Sequence, residues 1–99
     1  MDVLEYNIVM RTPHGYRVGM LSFSLEGESF TAKIFILDQT AEFQGSIDSS
    51  GNLKMNGSIP SFGGKLPFVG TGKLSYYAVH ITASTEEFIY EIDGTAKRN

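Results

Sequence analysis

The stretch KLPFVGTGKLS, residues 65–75, contains a Gly-Lys pair of the kind that ends a phosphate-binding P-loop. A P-loop needs two glycines with four residues between them, then Lys and Ser or Thr, because backbone N–H groups wrap the phosphates while the hydroxyl reaches a magnesium ion. Here Leu74 follows Gly72 and Lys73, and Pro67 occupies the position of the first glycine. No helical pattern follows that could offer its N-terminus to a phosphate. The stretch therefore does not predict a nucleotide site.

The titratable residues form no catalytic or metal-binding pattern. His14 and His80 are the only histidines, and neither has a second histidine at ligand spacing. His14 lies in the turn-like TPHG, and His80 alternates with apolar residues and is expected to point outward. Carboxylates such as Glu42 and Glu91 fall on predicted wet faces, where nothing raises a carboxyl pKa as glycoside hydrolysis requires. We therefore expect no catalytic residue, no metal site and no cofactor, and we rank an enzyme below a non-enzymatic module.

The elements that position these residues are predicted to be strands. Apolar and polar residues alternate with period two nearly everywhere, and no 3.6-residue period is sustained. The connections between the apolar runs are short and polar, and none is long enough for a crossover helix. The pattern predicts sequential antiparallel strands over residues 3–11, 16–25, 29–37, 41–48, 52–59, 67–76, 77–84 and 87–94.

The predicted strands have an apolar face and a mostly polar one. The fourth strand, for example, places Phe43 on the apolar face and Glu42 on the polar one. In the second strand the apolar parity shifts after Tyr16 and Val18, and a bulge near Gly19 would keep both parts on the core side.

This pattern predicts an all-β fold with a single domain over residues 1–99. Closure into an up-and-down barrel of about eight strands would hide both the apolar face and the two sheet edges. The alternative is a two-layer β-sandwich. The segment SIPSFGGKLP, residues 58–67, interrupts the alternation with two prolines and two glycines, so it predicts a long, mobile loop that covers one end of the barrel or forms a flexible lip.

Glycines on the predicted inner face have two interpretations. One is a lumen with room for a small apolar ligand. The other is that glycine permits the strong coiling of strands in a small barrel and lets the ring of Phe43 or Phe68 lie across the glycine. The chain has enough larger apolar side chains to fill the interior, which favours this second interpretation. The leading functional hypothesis is nevertheless a binding module, and its lumen candidates are Phe43, Gly45, Met55, Gly57, Phe68, Gly70, Gly72 and Tyr90.

Other aromatic and apolar side chains are assigned to the inner or the outer face by their position in the alternating pattern. Phe35 and Leu37 break the alternation on the outward face of one predicted strand, which predicts an interaction surface for a homodimer or a partner domain. Tyr6, Tyr76 and Tyr90 could stack on a ligand, but they have core parity.

Charge and composition exclude other classes of partner. The net charge is −3 with the few cations scattered, which disfavours binding to nucleic acid. Apolar residues make up 41% of the chain without a run long enough to span a membrane, so we expect no membrane partner. The absence of cysteine and of a secretory signal predicts a soluble cytoplasmic protein.

The cadence of EFQGSIDSSGNLKMNGSI, residues 42–59, and FVGTGKLSYYAVHITAS, residues 68–84, resembles the small calycin-type meander barrels, a group that includes the lipocalins. The resemblance covers residues 16–94 as a pattern, and the lipocalin Gly-x-Trp signature is absent because the chain has no tryptophan. It implies a barrel, and it implies ligand binding only by association, because fold does not fix function.

Overall fold

The computed structural model describes residues 2–61 and 64–97. All eight predicted strands are present in these ranges, and none of the described residues forms a helix long and apolar enough to cross a membrane. The strands are β1 (Asp2–Thr12), β2 (Gly15–Glu26), β3 (Ser29–Ile36), β4 (Gln39–Ile47), β5 (Asn52–Ser61), β6 (Gly64–Leu74), β7 (Ala78–Ser84) and β8 (Ile89–Ala96).

The strands form a closed antiparallel barrel in chain order. Each strand pairs with the next, and β8 returns to β1 from Tyr6↔Ala96 to Arg11↔Glu91. The predicted meander barrel is therefore confirmed, and the sandwich alternative is not formed. Closure pairs both outer strands, so the sheet has no free edge along this ladder.

A cluster of aromatic rings fills the middle of the barrel. Phe43 is 1% exposed and meets Phe23, Phe30 and Phe68 edge to face, with ring centroids 6.2, 6.2 and 5.4 Å away. Among the residues described, every buried side chain of the core is apolar or a tyrosine, and none is charged. Edge-to-face pairs stabilise a core beyond the area they bury, by about 0.5–1.5 kcal/mol each.

The second strand contains no bulge at Gly19, contrary to the prediction. β2 pairs with β1 in unbroken register from Leu25 to Gly15, so the pleat keeps one parity throughout. Tyr16 and Val18 therefore point outward and are 68% and 75% exposed. The apolar pattern was misleading here because these two residues belong to the outer surface.

The prediction that Leu37 lies on the outward face of the third strand is wrong. β3 ends at Ile36, which pairs with Gln39, and the connection between them is the two-residue turn Leu37-Asp38. Both turn residues have positive φ, 54° and 57°, as a type I′ hairpin turn requires. The side chain of Leu37 is half-buried and packs against the core instead of standing beside Phe35.

The predicted loop over residues 58–67 is mostly strand. β5 continues to Ser61 and pairs with β6 as far as Ser61↔Gly64, while residues 62 and 63 lie outside the described part of the chain. The β4–β5 ladder stops at Phe43↔Gly57, so Pro60 lies past it, where a proline is tolerated. Beyond the end of this ladder, the side-chain amide of Gln39 on β4 donates a hydrogen bond to the backbone carbonyl of Ser61 on β5 at 2.9 Å.

Candidate functional site

The predicted lumen residues lie on the inner side of the barrel. Phe43, Met55, Phe68 and Tyr90 are buried there. The four glycines share their parity but lie against other groups, so a methyl group on them would meet protein atoms. The methyl group would overlap with a carbonyl oxygen on Gly45, Gly70 and Gly72, those of Lys54, Thr82 and His80 respectively. On Gly57 it would overlap with the Cβ of Phe43.

These contacts agree with the interpretation in which glycine allows close approach of strands and rings. A ligand-binding role for these eight residues stays a prediction.

The two ends of the barrel differ in how they are covered. We call the end at which β1 begins the N-terminal end, and the other the opposite end. At the opposite end, Leu37, Pro60 and Tyr90 leave a cavity of only about 20 Å³. A cavity of that size holds about one water molecule and is too small for an organic ligand.

The N-terminal end carries an open depression of about 670 Å³. Its apolar lining includes Leu4, Leu25 and Ile47, which are half-buried, and Leu74, which is 7% exposed. These residues sit at the ends of β1, β2, β4 and β6, where inward parity brings them over the last layer of the core. Volumes of about 300–1,000 Å³ with apolar walls are typical of small-molecule sites.

The turn between β4 and β5 forms one wall of the depression and is shaped by Asp48. One carboxylate oxygen accepts hydrogen bonds from the backbone N–H groups of Ser50, at 2.8 Å, and Asn52, at 3.0 Å. The other accepts one from the side-chain amide of Asn52 at 2.9 Å. The hydrogen bond from the Asn52 side chain is the largest of the effects that lower the pKa of Asp48, followed by that from the Asn52 backbone. The carboxylate is therefore ionised at neutral pH.

The turn between β6 and β7 forms the adjoining wall. Tyr76 lines the depression, is 70% exposed and meets the ring of Tyr77 edge to face at 5.1 Å. The expectation that Tyr76 has core parity is therefore wrong, because β6 ends at Leu74 and the turn breaks the alternation. The hydroxyl of Tyr6 holds this turn by donating to the carbonyl of Ser75 at 2.6 Å, and burial raises the pKa of Tyr6.

A polar cluster lies on the outer wall, away from the depression. His80 Nδ1 is 2.6 Å from Asp93, and its Nε2 is 3.3 Å from Glu91, which also lies 3.8 Å from Arg11. Each imidazole nitrogen thus meets a different carboxylate, so the three groups do not converge on one point. Within the described ranges no group of three such residues could hold a metal ion.

An apolar stripe also crosses the outer wall. We call it the outer stripe, and its members are Val9, Tyr16, Val18, Met20 and Phe35. The pairs Val9↔Val18 and Met20↔Phe35 place these side chains across neighbouring strands, with Phe35 48% exposed.

Comparisons with known proteins support the fold. The chain matches no protein-family model and no curated protein. It is similar to the redesigned β-barrel mFAP0 bound to DFHBI, with 19% identity, 95% of each chain covered and a TM-score of 0.65. It is also similar to the redesigned β-barrel mFAP1 bound to DFHBI, with 19% identity over 95% of this chain and 92% of that one and a TM-score of 0.66. The redesigned β-barrel b11L5F_LGL matches with 16% identity over 96% and 89% of the two chains and a TM-score of 0.65. The expected fold-level resemblance to small meander barrels is thereby confirmed.

Sequence reasoning did not single out the depression. Leu4, Leu25, Ile47 and Asp48 are not among the predicted site residues. The available signal was their position next to turns, since a strand residue beside a short turn has fewer neighbours to cover it.

Proposed function

We propose that this chain is a non-enzymatic binding module for a small apolar ligand, which sits in the depression at the N-terminal end. The observation that carries the proposal is the apolar lining formed by Leu4, Leu25 and Ile47, which the described residues leave partly exposed in an open depression, whereas at the opposite end they leave a cavity of only about 20 Å³. Two similar redesigned barrels are bound to the small molecule DFHBI, which supports a small ligand for this fold.

The lumen is the alternative position for such a ligand. The ring cluster around Phe43 occupies the middle of the barrel, so a ligand there would have to displace buried aromatic side chains. That displacement costs the dispersion contacts of a close-packed core. The depression needs no such rearrangement, and it is therefore the position we favour.

The experiment uses 1-naphthalenemethanol as a neutral apolar probe, followed by amide and methyl NMR shifts and by thermal unfolding. Binding in the depression moves the signals of Leu4, Leu25 and Ile47 and raises Tm, because a ligand present at about 100 times its Kd stabilises the folded state by about 2.7 kcal/mol. The variant Leu25→Ser weakens binding. The matched control Leu66→Ser, another half-buried residue packed against the core, leaves binding unchanged.

Two results would contradict the proposal. Shifts concentrated at the Met55 methyl, with the depression unaffected, would move the ligand into the lumen. No shift and no change in Tm with this probe or with a panel of apolar metabolites would remove the binding function.

The outer stripe supports a second candidate function, self-association of two copies. Its centre is uncharged, and its borders carry both signs of charge, with Arg11 near Glu91 on one side and Lys33 paired with Glu42 on the other. A twofold arrangement can therefore bury stripe against stripe while unlike charges meet at the rim. Phe35 belongs to this surface, whereas Leu37 does not extend it.

Sedimentation measures the assembly state. Phe35→Glu lowers the assembly state and leaves the strand content unchanged by circular dichroism. Val69→Glu, at a residue 63% exposed on another strand, serves as the control and has no effect. A wild-type protein that sediments as a monomer at millimolar concentration would contradict this candidate.

A further inference from the structure

The charge of the depression is set by one side chain. Among the described residues that line it, Asp48 alone is ionisable with a charge at neutral pH, and its carboxylate is fully exposed to solvent. Its two oxygens accept three hydrogen bonds from the turn, which leaves lone pairs open to a ligand. The neighbouring cation, Lys73, lies on the outward face of β6 and donates to the side chain of Asn52 at 3.3 Å, and its charge makes the smallest of the contributions that lower the pKa of Asp48.

An exposed aromatic ring lies in the same depression. The ring of Tyr76 is 70% exposed and is held near a right angle to the ring of Tyr77. Aromatic faces attract cations through the quadrupole of the ring, and this attraction adds to that of a nearby carboxylate. An apolar floor, a carboxylate and an exposed aromatic ring are thus brought together at one end of the barrel.

We infer that the depression selects amphiphilic cations, that is, aryl- or alkyl-ammonium compounds whose apolar body covers Leu4, Leu25 and Ile47 while the ammonium group meets Asp48. This inference rests on the proposed function, because it names the ligand class of the same depression. The same geometry disfavours carboxylate ligands such as fatty acids, since no described lining residue carries a positive charge to pair with them.

Three probes with the same aromatic body test the inference: 1-naphthylmethylammonium, 1-naphthalenemethanol and 1-naphthoate. We expect the ammonium to bind about fivefold more tightly than the alcohol at low salt. This is the size of effect expected when an exposed ion pair with Asp48 is combined with the attraction of the ammonium to the Tyr76 ring. The carboxylate binds more weakly than the alcohol. Raising the salt to 0.5 M removes most of the difference, because exposed charges are then screened.

Variants assign the selectivity to one residue. Asp48→Asn keeps an acceptor in the turn and reduces the affinity for the ammonium to that for the alcohol. Its unchanged affinity for the alcohol shows that the depression is still folded. Asp38→Asn, at an exposed turn residue of the opposite end, changes the net charge equally and leaves the preference intact.

The outcomes separate this inference from the function beneath it. Equal binding of all three probes in the depression, or a preference that survives Asp48→Asn, would overturn the ligand class while the binding function stands. Tighter binding of the carboxylate would overturn it as well. If none of the three probes binds in the depression, both the ligand class and the proposed function fail.

Discussion

Truncation of Phe43 to alanine measures whether the middle of the barrel is filled. The ring is 1% exposed and contacts three other phenylalanine rings, and Gly57 on the paired strand leaves it room to lie across the sheet. The substitution removes the ring around which this cluster packs.

The expected cost combines two effects. The folded state loses the free energy gained by burying a phenyl group, which is about 2 kcal/mol. A remaining cavity of about 80 Å³ costs about 24 cal/mol per Å³, or about 2 kcal/mol more. The sum of about 4 kcal/mol is a large part of the roughly 5–15 kcal/mol that stabilises a domain of this size.

Urea unfolding, followed by circular dichroism, gives the free energy of unfolding for the wild type and the variant. The matched control is Phe35→Ala, the same truncation at a ring that is 48% exposed on the outer wall, and it should cost less than about 1 kcal/mol. Benzene should raise the Tm of Phe43→Ala and not that of the wild type, since an apolar cavity of this kind stays dry and takes up such a ligand.

The refuting result is a cost for Phe43→Ala no larger than that for Phe35→Ala. The ring would then not be enclosed, and the inner glycines would line open space. A ligand in the lumen would become the better explanation of Gly45, Gly57, Gly70 and Gly72.

Three further perturbations follow from single contacts. Gly57→Ala should lower the free energy of unfolding by more than about 2 kcal/mol, because its φ of 151° and the nearby Cβ of Phe43 both oppose a side chain. Gly27→Ala, at a φ of 63° with nothing within 4 Å, should lower it by about 1 kcal/mol. Equal Tm values for the two variants would contradict this prediction. Tyr6→Phe should cost about 1 kcal/mol in urea unfolding by removing the hydrogen bond to the β6–β7 turn, and an unchanged stability would show that water replaces it. Because the folded state lowers the pKa of Asp48, its contribution to stability is present above the unfolded pKa of about 4 and is lost as the pH falls through the folded pKa. Tm measured from pH 7 to pH 2 should therefore fall less steeply in Asp48→Asn than in the wild type. Parallel curves would show that the hydrogen bonds to the Asp48 carboxylate do not stabilise the folded state.

The sequence by itself determined the strands and most of their faces. Side chains alternate across a strand with period two, so the burial of Phe43, Met55 and Phe68 could be deduced without knowing any partner strand. The pairing of neighbouring strands could be deduced as well, because the connections are short. Removal of the free edges favoured the barrel, but the pattern left the two-layer sandwich open.

The tertiary structure decided what depends on register and closure. Val18 faces outward because its strand pairs with β1 without a bulge, and Leu37 turns inward because the hairpin closes at Ile36. Local pattern carries no information on such choices, since an apolar residue fits either an inner layer or an exposed stripe. The depression is the same case. Leu25 and Asp48 come from different parts of the chain and line the same depression because the ends of β2 and β4 lie at one rim of the antiparallel barrel.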